Sequence, residues 1–118
     1  MTTQEQTWMT YTTSWNQTDA TARSAIFQQS LAPTVIYRDP NCQAAGHDQL
    51  NAVIDQFHND FPGGTLKTTS FIFHHGRSLA NWELSVGDEV VATGTSYGEY
   101  DESDRLTVMN SFYVNPEA

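Results

Sequence analysis

The sequence predicts an α+β domain in which N-terminal helices pack on a strongly curved, mostly antiparallel sheet. Two observations predict it. Apolar residues recur every three or four positions in the first half of the chain and every second position in the second half. Helices followed by a run of strands are typical of folds whose helices lie on one face of the sheet. A twisted sheet covered in this way forms a cone with an internal pocket.

The helices follow from aromatic spacing, capping residues and prolines. Three aromatic residues at spacings of three and four predict a first helix over about Thr3–Asn16. Asp19 is a capping residue for a second helix that runs through Leu31 and that Pro33 ends. A third helix over Asp48–Asp60 carries apolar residues with a period near 3.6 residues.

The strands are separated by glycine, proline and aspartate signals for turns. The predicted strands are Thr34–Arg38, Leu66–His75, Leu79–Val86, Glu89–Tyr100 and Arg105–Val114. Alternation along the last two strands leaves open which set of side chains faces the helices. The pair Gly94-x-Ser96 and the glycine at 98 are interpreted as places where the sheet bends.

Charge and composition limit the partners. The formal net charge is −9 with five Lys and Arg residues, which argues against nucleic acids and anionic membrane surfaces. No apolar run reaches a membrane-spanning length. Cys42 is the one cysteine among 118 residues, so an intrachain disulfide is excluded and the cytoplasm is the expected compartment. No repeat or linker is evident, so we expect a single domain over residues 1–118.

The segment around Tyr37 and Asp39 is the strongest candidate for chemistry. Alternate residues of a strand face the same side, so the phenol and the carboxylate point together, and Pro40 then ends the strand. If that side faces an apolar cavity, the pair is a candidate acid–base site. If it faces water, Asp39 is a turn residue before a proline.

Several short motifs, taken together in order and spacing, resemble one family over nearly the whole chain. They are Trp15-Asn16-x-x-Asp19, Asp39-Pro40, Gly46-His47-Asp48-x-Leu50, Pro62-Gly63, Trp82, Gly94-x-Ser96 and Asp101–Leu106 leading to Phe112. This pattern resembles the nuclear transport factor 2-like superfamily, and the SnoaL-like group in particular. The superfamily includes isomerases, cyclases, dehydratases, epoxide hydrolases and non-catalytic binding domains, so the resemblance implies a cone-shaped fold and no single activity.

The resemblance implies catalytic roles for three residues. In ketosteroid isomerases of this fold, a first-helix tyrosine donates to the enolate oxygen and an aspartate before a proline is the base. Tyr11 and Asp39 match these positions. Ser96 lies where that family has a second, protonated acidic donor, and a serine is a weaker donor. Limonene-type epoxide hydrolases place a tyrosine and an asparagine where Tyr37 and Asp39 stand, which is a partial match.

Aromatic side chains predict the character of a ligand. A largely apolar, flat small molecule with one or two polar groups is expected, because such ligands favour aromatic walls. The residues predicted to line its site are Trp15, Tyr37, Phe57, Phe61, Phe73, His75, Trp82 and Phe112.

No metal site and no cofactor is predicted. His74 and His75 are adjacent in a predicted strand, so they are expected on opposite faces, and no acidic or cysteine cluster has the spacing of metal ligands. The uncovered face of the sheet predicts a homodimer.

Two function classes therefore remain. The first is a cofactor-independent isomerase or cyclase with Asp39 as its base. The second is a non-catalytic module that binds a small ligand or serves in dimerisation. The enzyme requires Asp39 inside a cavity, whereas in the binding module Asp39 is exposed or paired with Arg38 or Arg77.

Overall fold

Three helices cover one face of a six-stranded, curved sheet in the computed structural model, which describes residues 1–114. The chain order is α1 (Thr3–Trp15), α2 (Ala20–Ser30), β1 (Leu31–Asp39), β2 (Cys42–Ala45), α3 (Gly46–Asp60), β3 (Gly64–His74), β4 (Arg77–Val86), β5 (Glu89–Tyr100) and β6 (Leu106–Phe112). The strands are ordered β2-β1-β6-β5-β4-β3, and only the β1–β6 pair is parallel. The predicted α+β fold class is confirmed.

Side-chain caps mark the starts of α1 and α2 but not that of α3. Thr2 caps α1 by accepting from the backbone N–H of Glu5, and Asp19 caps α2 in the same way. Helix α3 has no side-chain cap and begins at Gly46, two residues before the predicted start. Gly46 has a φ of +80°, a conformation that glycine adopts without steric cost.

The first strand and its partner differ from the prediction. Strand β1 starts at Leu31, directly after α2, and includes Pro33, which was expected to separate the two elements. The short strand β2 was not predicted. It forms a hairpin with β1 through a two-residue turn, so that Asp39 pairs with Cys42. Four residues are too few for period-two alternation to be visible in a sequence.

A bulge in β3 changes the face of its second half. Thr68 pairs with Trp82, whereas Phe71 pairs with Ala80, so one extra residue stands between the two pairs on β3. Because Trp82 and Ala80 share a face of β4, Phe71 shares a face with Thr68. The predicted strict alternation along β3 is therefore interrupted near residue 69.

The core lies between the helices and the concave face of the sheet. Its buried members include Phe27, Leu50 and Ile54 from the helices and Leu106 and Met109 from β6, each at most 1% exposed. The convex face instead carries exposed apolar side chains. Within residues 1–114, no helix is long and apolar enough to cross a bilayer.

Candidate functional site

A cavity of about 440 Å³ lies between helices α1 and α3 and the concave face of the sheet. Its walls are mainly apolar and aromatic, as is typical of small-molecule sites. Eight of the eleven predicted site residues line it, namely Tyr11, Trp15, Tyr37, Asp39, Phe57, Phe61, Trp82 and Ser96. The structure thus brings together side chains from α1, β1, α3, β4 and β5.

Three predicted site residues lie elsewhere. Phe73 follows the β3 bulge and packs edge-on against Tyr100, with ring centroids 5.6 Å apart. His75 is exposed in the turn after β3. Phe112 is 63% exposed because Met109 and Ser111 take the inward positions of β6, which places residue 112 on the convex face. The expectation that these three side chains line the cavity is therefore corrected.

Asp39 is both a cavity residue and a turn residue. Its Oδ1 accepts from the backbone N–H groups of Asn41 at 2.8 Å and Cys42 at 3.0 Å, which closes the β1–β2 turn. Its Oδ2 accepts from the Tyr37 hydroxyl at 2.7 Å. The Cys42 thiol lies 3.4 Å from Oδ1. The two alternatives drawn from the sequence, turn or cavity wall, are combined in one residue.

The hydroxyl of Tyr11 receives one hydrogen bond and retains its own proton. Trp15 donates to it from Nε1 at 2.7 Å, which fits their positions one turn apart on α1. Burial raises the pKa of Tyr11 well above its ordinary value, and the nearby charge of Asp39 raises it further. The phenol therefore stays protonated, and its proton can be donated to an oxygen in the cavity.

Trp15 also fixes the aromatic wall of the cavity. Its ring is tilted against Tyr37, with centroids 5.6 Å apart, and meets the edge of Phe57 at 5.5 Å. Phe57 in turn contacts Phe61, with centroids 5.8 Å apart. Tilted and edge-on contacts at these separations are favourable aromatic geometries. The wall is thus a connected aromatic cluster from α1, β1 and α3.

A series of hydrogen bonds crosses the floor of the cavity and ends at Asp39. The Trp82 Nε1 donates to Ser96 Oγ at 3.0 Å, and Ser96 Oγ lies 2.8 Å from Ser111 Oγ. Ser111 interacts with the Tyr37 hydroxyl and lowers its pKa, and Tyr37 donates to Asp39. The pKa of Tyr37 is raised well above its ordinary value, first by burial and then by Tyr11 and Asp39.

No protein-family model and no curated protein matches the chain. Solved structures do. One is a SnoaL-like family protein from Agrobacterium tumefaciens, provisionally named an isomerase. It is 26% identical with a TM-score of 0.89, and the match covers 98% of this chain and all of that one. In its fold, the chain is similar to SnoaL-like, nuclear transport factor 2-like and ketosteroid isomerase-like proteins.

Two further structures share this fold at lower identity. A protein from Kribbella flavida, provisionally named a ketosteroid isomerase, is 20% identical with a TM-score of 0.71 over 98% of this chain and 79% of that chain. TerC, which was co-crystallised with polyporic acid, is 13% identical with a TM-score of 0.80 over 96% of this chain and 92% of that chain. At these identities the likeness establishes the fold alone.

Some residues that line the cavity were not predicted. Cys42 begins the unpredicted strand β2, and burial together with the charge of Asp39 raises the pKa of its thiol to about 11. Tyr113 accepts from the Asn41 side chain at 3.2 Å, and burial, followed by the charge of Asp39, raises its pKa to about 12. Ser111 and Tyr113 continue the alternation of Met109, so the correct register of the last strand was the signal that could have identified them.

The histidines adopt an arrangement that the sequence did not predict. His74 and His75 were expected on opposite faces, but their Nδ1 atoms lie 3.2 Å apart. The reason is the backbone of His75, whose φ of +48° ends the strand and turns its ring toward His74. Among residues 1–114, no group of three or more His, Cys, Asp or Glu side chains is placed to hold a metal ion.

Proposed function

We propose that this SnoaL-like chain binds a largely apolar small molecule in its cavity and acts on it as a cofactor-independent isomerase or cyclase. The observation that carries the proposal is the placement of the Asp39 carboxylate and the Tyr11 hydroxyl on the walls of one mainly apolar cavity. One group accepts protons and the other donates a hydrogen bond, which is the pair that proton abstraction next to a carbonyl requires.

The chemistry follows from these two groups. A carbonyl oxygen of the ligand accepts a hydrogen bond from Tyr11, and Asp39 removes a proton from the neighbouring carbon. The C–H electron pair forms the C=C bond of an enolate, whose negative oxygen Tyr11 stabilises. Return of the proton at another carbon completes an isomerisation, whereas attack of the enolate carbon on a second carbonyl closes a ring and forms an alkoxide, which takes the proton back from Asp39. One oxyanion donor of this kind contributes on the order of 3 kcal/mol, roughly a hundredfold in rate.

Ser96 does not serve as the second oxyanion donor in this proposal. Its Oγ accepts from Trp82 and forms a second hydrogen bond with Ser111, in which either hydroxyl can be the donor. When Ser96 donates to Ser111, it has no proton left for a ligand oxygen. The site works with one donor, Tyr11, unless the ligand displaces the Ser96–Ser111 hydrogen bond.

One observation favours the alternative of a non-catalytic binding module. Several donors already surround the Asp39 carboxylate, namely the Tyr37 and Tyr113 hydroxyls, two backbone N–H groups and the Cys42 thiol. Such a set is also what a purely structural aspartate needs to close a hairpin turn. In that case the cavity holds its ligand and no proton is transferred.

Turnover separates the two functions. The assay uses a panel of fused-ring β,γ-unsaturated ketones and follows formation of the conjugated enone by absorbance. Asp39→Asn should abolish turnover while the ketone still binds, and Tyr11→Phe should lower kcat about a hundredfold. Tyr97→Phe and Asp88→Asn, on the convex face and in an exposed turn, are the matched controls. Binding by the wild-type protein without conversion of any ketone supports the binding module instead.

We further propose that the protein is a homodimer formed through the convex face of its sheet. Ile72 and Leu79 are cross-strand partners and are 64% and 43% exposed, and Phe112 is exposed on the same face. Burying this apolar surface against a second copy is favourable. Light scattering should therefore give twice the chain mass, and Phe112→Glu should give a monomer.

The cytoplasm is the proposed compartment, since Cys42 has no intrachain partner for a disulfide.

A further inference from the structure

We infer that Trp82, Ser96 and Ser111 are positioning residues, which act through Tyr37 to hold the Asp39 carboxylate in one orientation by a hydrogen-bond chain that runs in a single direction. The catalytic meaning of this chain rests on the proposed function, because it requires Asp39 to be the reacting group. The existence and direction of the chain do not depend on the proposed function.

The two ends of the chain determine its direction. An indole N–H can only donate, so Trp82 donates to Ser96. The Tyr37 hydroxyl donates its one proton to Asp39, so it can only accept from Ser111. Ser111 has then used its proton, and Ser96 must donate to Ser111. Each hydroxyl accepts one hydrogen bond and donates one, and every link points toward Asp39.

The sheet holds the chain in register. Ser96 and Ser111 are directly opposed on β5 and β6, which brings their short side chains together. Trp82 is paired with Gly94, and the missing side chain there lets the indole lie across β5 and reach Ser96. Tyr37 pairs with Met109, two residues before Ser111 on the parallel neighbour β6. Four adjacent strands therefore contribute to one continuous series.

The chain has two consequences for Asp39. The carboxylate cannot rotate freely, because its Oδ2 is held by Tyr37 and its Oδ1 by the turn N–H groups. A proton that Asp39 receives also cannot leave along the chain, since each link already donates toward Asp39 and the indole of Trp82 has no site to accept a proton. The proton thus stays available for return to the ligand. Hydrogen bonds in such a series also strengthen one another.

The test uses the indole N–H resonances of the three tryptophans, without any ligand. Each indole has its own acceptor: Thr68 for Trp8, Tyr11 for Trp15 and Ser96 for Trp82. Ser111→Ala and Tyr37→Phe, which break the chain at different links, should both displace the Trp82 resonance. Ser111→Thr, which retains the hydroxyl, should return it toward the wild-type position.

The controls show whether a displaced resonance reports the chain itself. Ser78 is a buried serine on the same sheet face whose hydroxyl bonds to Tyr100, outside the chain, so Ser78→Ala should leave the Trp82 resonance in place. An unmoved Trp8 resonance shows that each variant is folded. The inference is overturned if Ser111→Ala and Tyr37→Phe leave the Trp82 resonance unchanged, or if Ser78→Ala displaces it equally.

A kinetic measurement separates this inference from the proposed function. With a ketone that the protein converts, Ser111→Ala should lower kcat by more than it raises KM, and Ser111→Thr should restore kcat. If Asp39→Asn abolishes turnover but the Trp82 resonance is unchanged in Ser111→Ala, the chain is refuted and the proposed function stands. If the resonance responds but Asp39→Asn retains turnover, the proposed function is refuted and the chain remains as a structural element.

Discussion

Gly94→Ala tests how closely the sheet and the indole of Trp82 are fitted together. A Cβ built at position 94 would lie 2.2 Å from Trp82 Cζ2 and 2.6 Å from Cε2, well inside van der Waals contact. The far end of a flexible side chain could move aside, but this indole is held by its hydrogen bond to Ser96. The extra methyl group must therefore either displace the ring or separate the two strands.

The expected cost follows from these two effects. Forcing an additional carbon into a packed site costs about 1–3 kcal/mol, and losing the Trp82–Ser96 hydrogen bond adds about 1 kcal/mol. The free energy of unfolding should therefore fall by about 2–4 kcal/mol. For a chain of 118 residues, with an unfolding entropy near 0.25 kcal/mol/K, this corresponds to a Tm lower by about 8–16 °C.

A double-mutant cycle measures whether the indole is the cause. Thermal and urea unfolding are followed by circular dichroism for Gly94→Ala alone and in a Trp82→Leu background. In that background the clash is gone, and Gly94→Ala should cost less than about 1 kcal/mol. The reasoning is refuted if the single variant loses less than about 1 kcal/mol, or if it loses the same amount with leucine at 82.

Two further predictions concern the buried Arg23 and the thiol of Cys42. Arg23 is fully buried and pairs with Asp55, so Asp55→Ala should cost about 2 kcal/mol in urea unfolding, less than a fully buried pair because Asp55 is 58% exposed. Arg23→Met, which removes the buried charge itself, should cost less, and equal losses would contradict this account. Since the pKa of Cys42 is raised to about 11 from 9.0, alkylation at pH 8 should be about 100-fold slower than for an unperturbed thiol. Asp39→Asn should make the alkylation faster, and an unchanged rate would show that the Asp39 carboxylate does not contribute to the raised pKa of the Cys42 thiol.

Local periodicity accounts for the parts of the fold that were predicted. Aromatic and apolar residues at helical spacing placed α1 and α3, and alternation placed the last four strands, because each pattern reflects burial of one face. The capping role of Asp19 was also predictable, since its side chain bonds to a neighbour two residues away. These features depend on residues close in sequence, which is why the sequence contains them.

Features that depend on pairing between distant strands were missed or misplaced. The four-residue strand β2 is too short to show a period. The bulge near residue 69 is visible only against β4, and Phe73 shares the face of Thr68 but lies further along β3, against Tyr100. Phe112 faces outward because of the register between β5 and β6. A one-residue change of register moves every side chain to the other face, and no local pattern in the last strands specified that register.

The sequence alone determined the fold class, the order of the elements and the choice of Tyr11, Tyr37 and Asp39 as residues worth following, because propensity and periodicity are local properties. The tertiary structure alone decided that these side chains share one cavity and that Trp82, Ser96 and Ser111 are linked to Asp39. Those links join four strands whose residues are up to 74 positions apart, from Tyr37 to Ser111. Only the registers of the assembled sheet bring such side chains within hydrogen-bond distance.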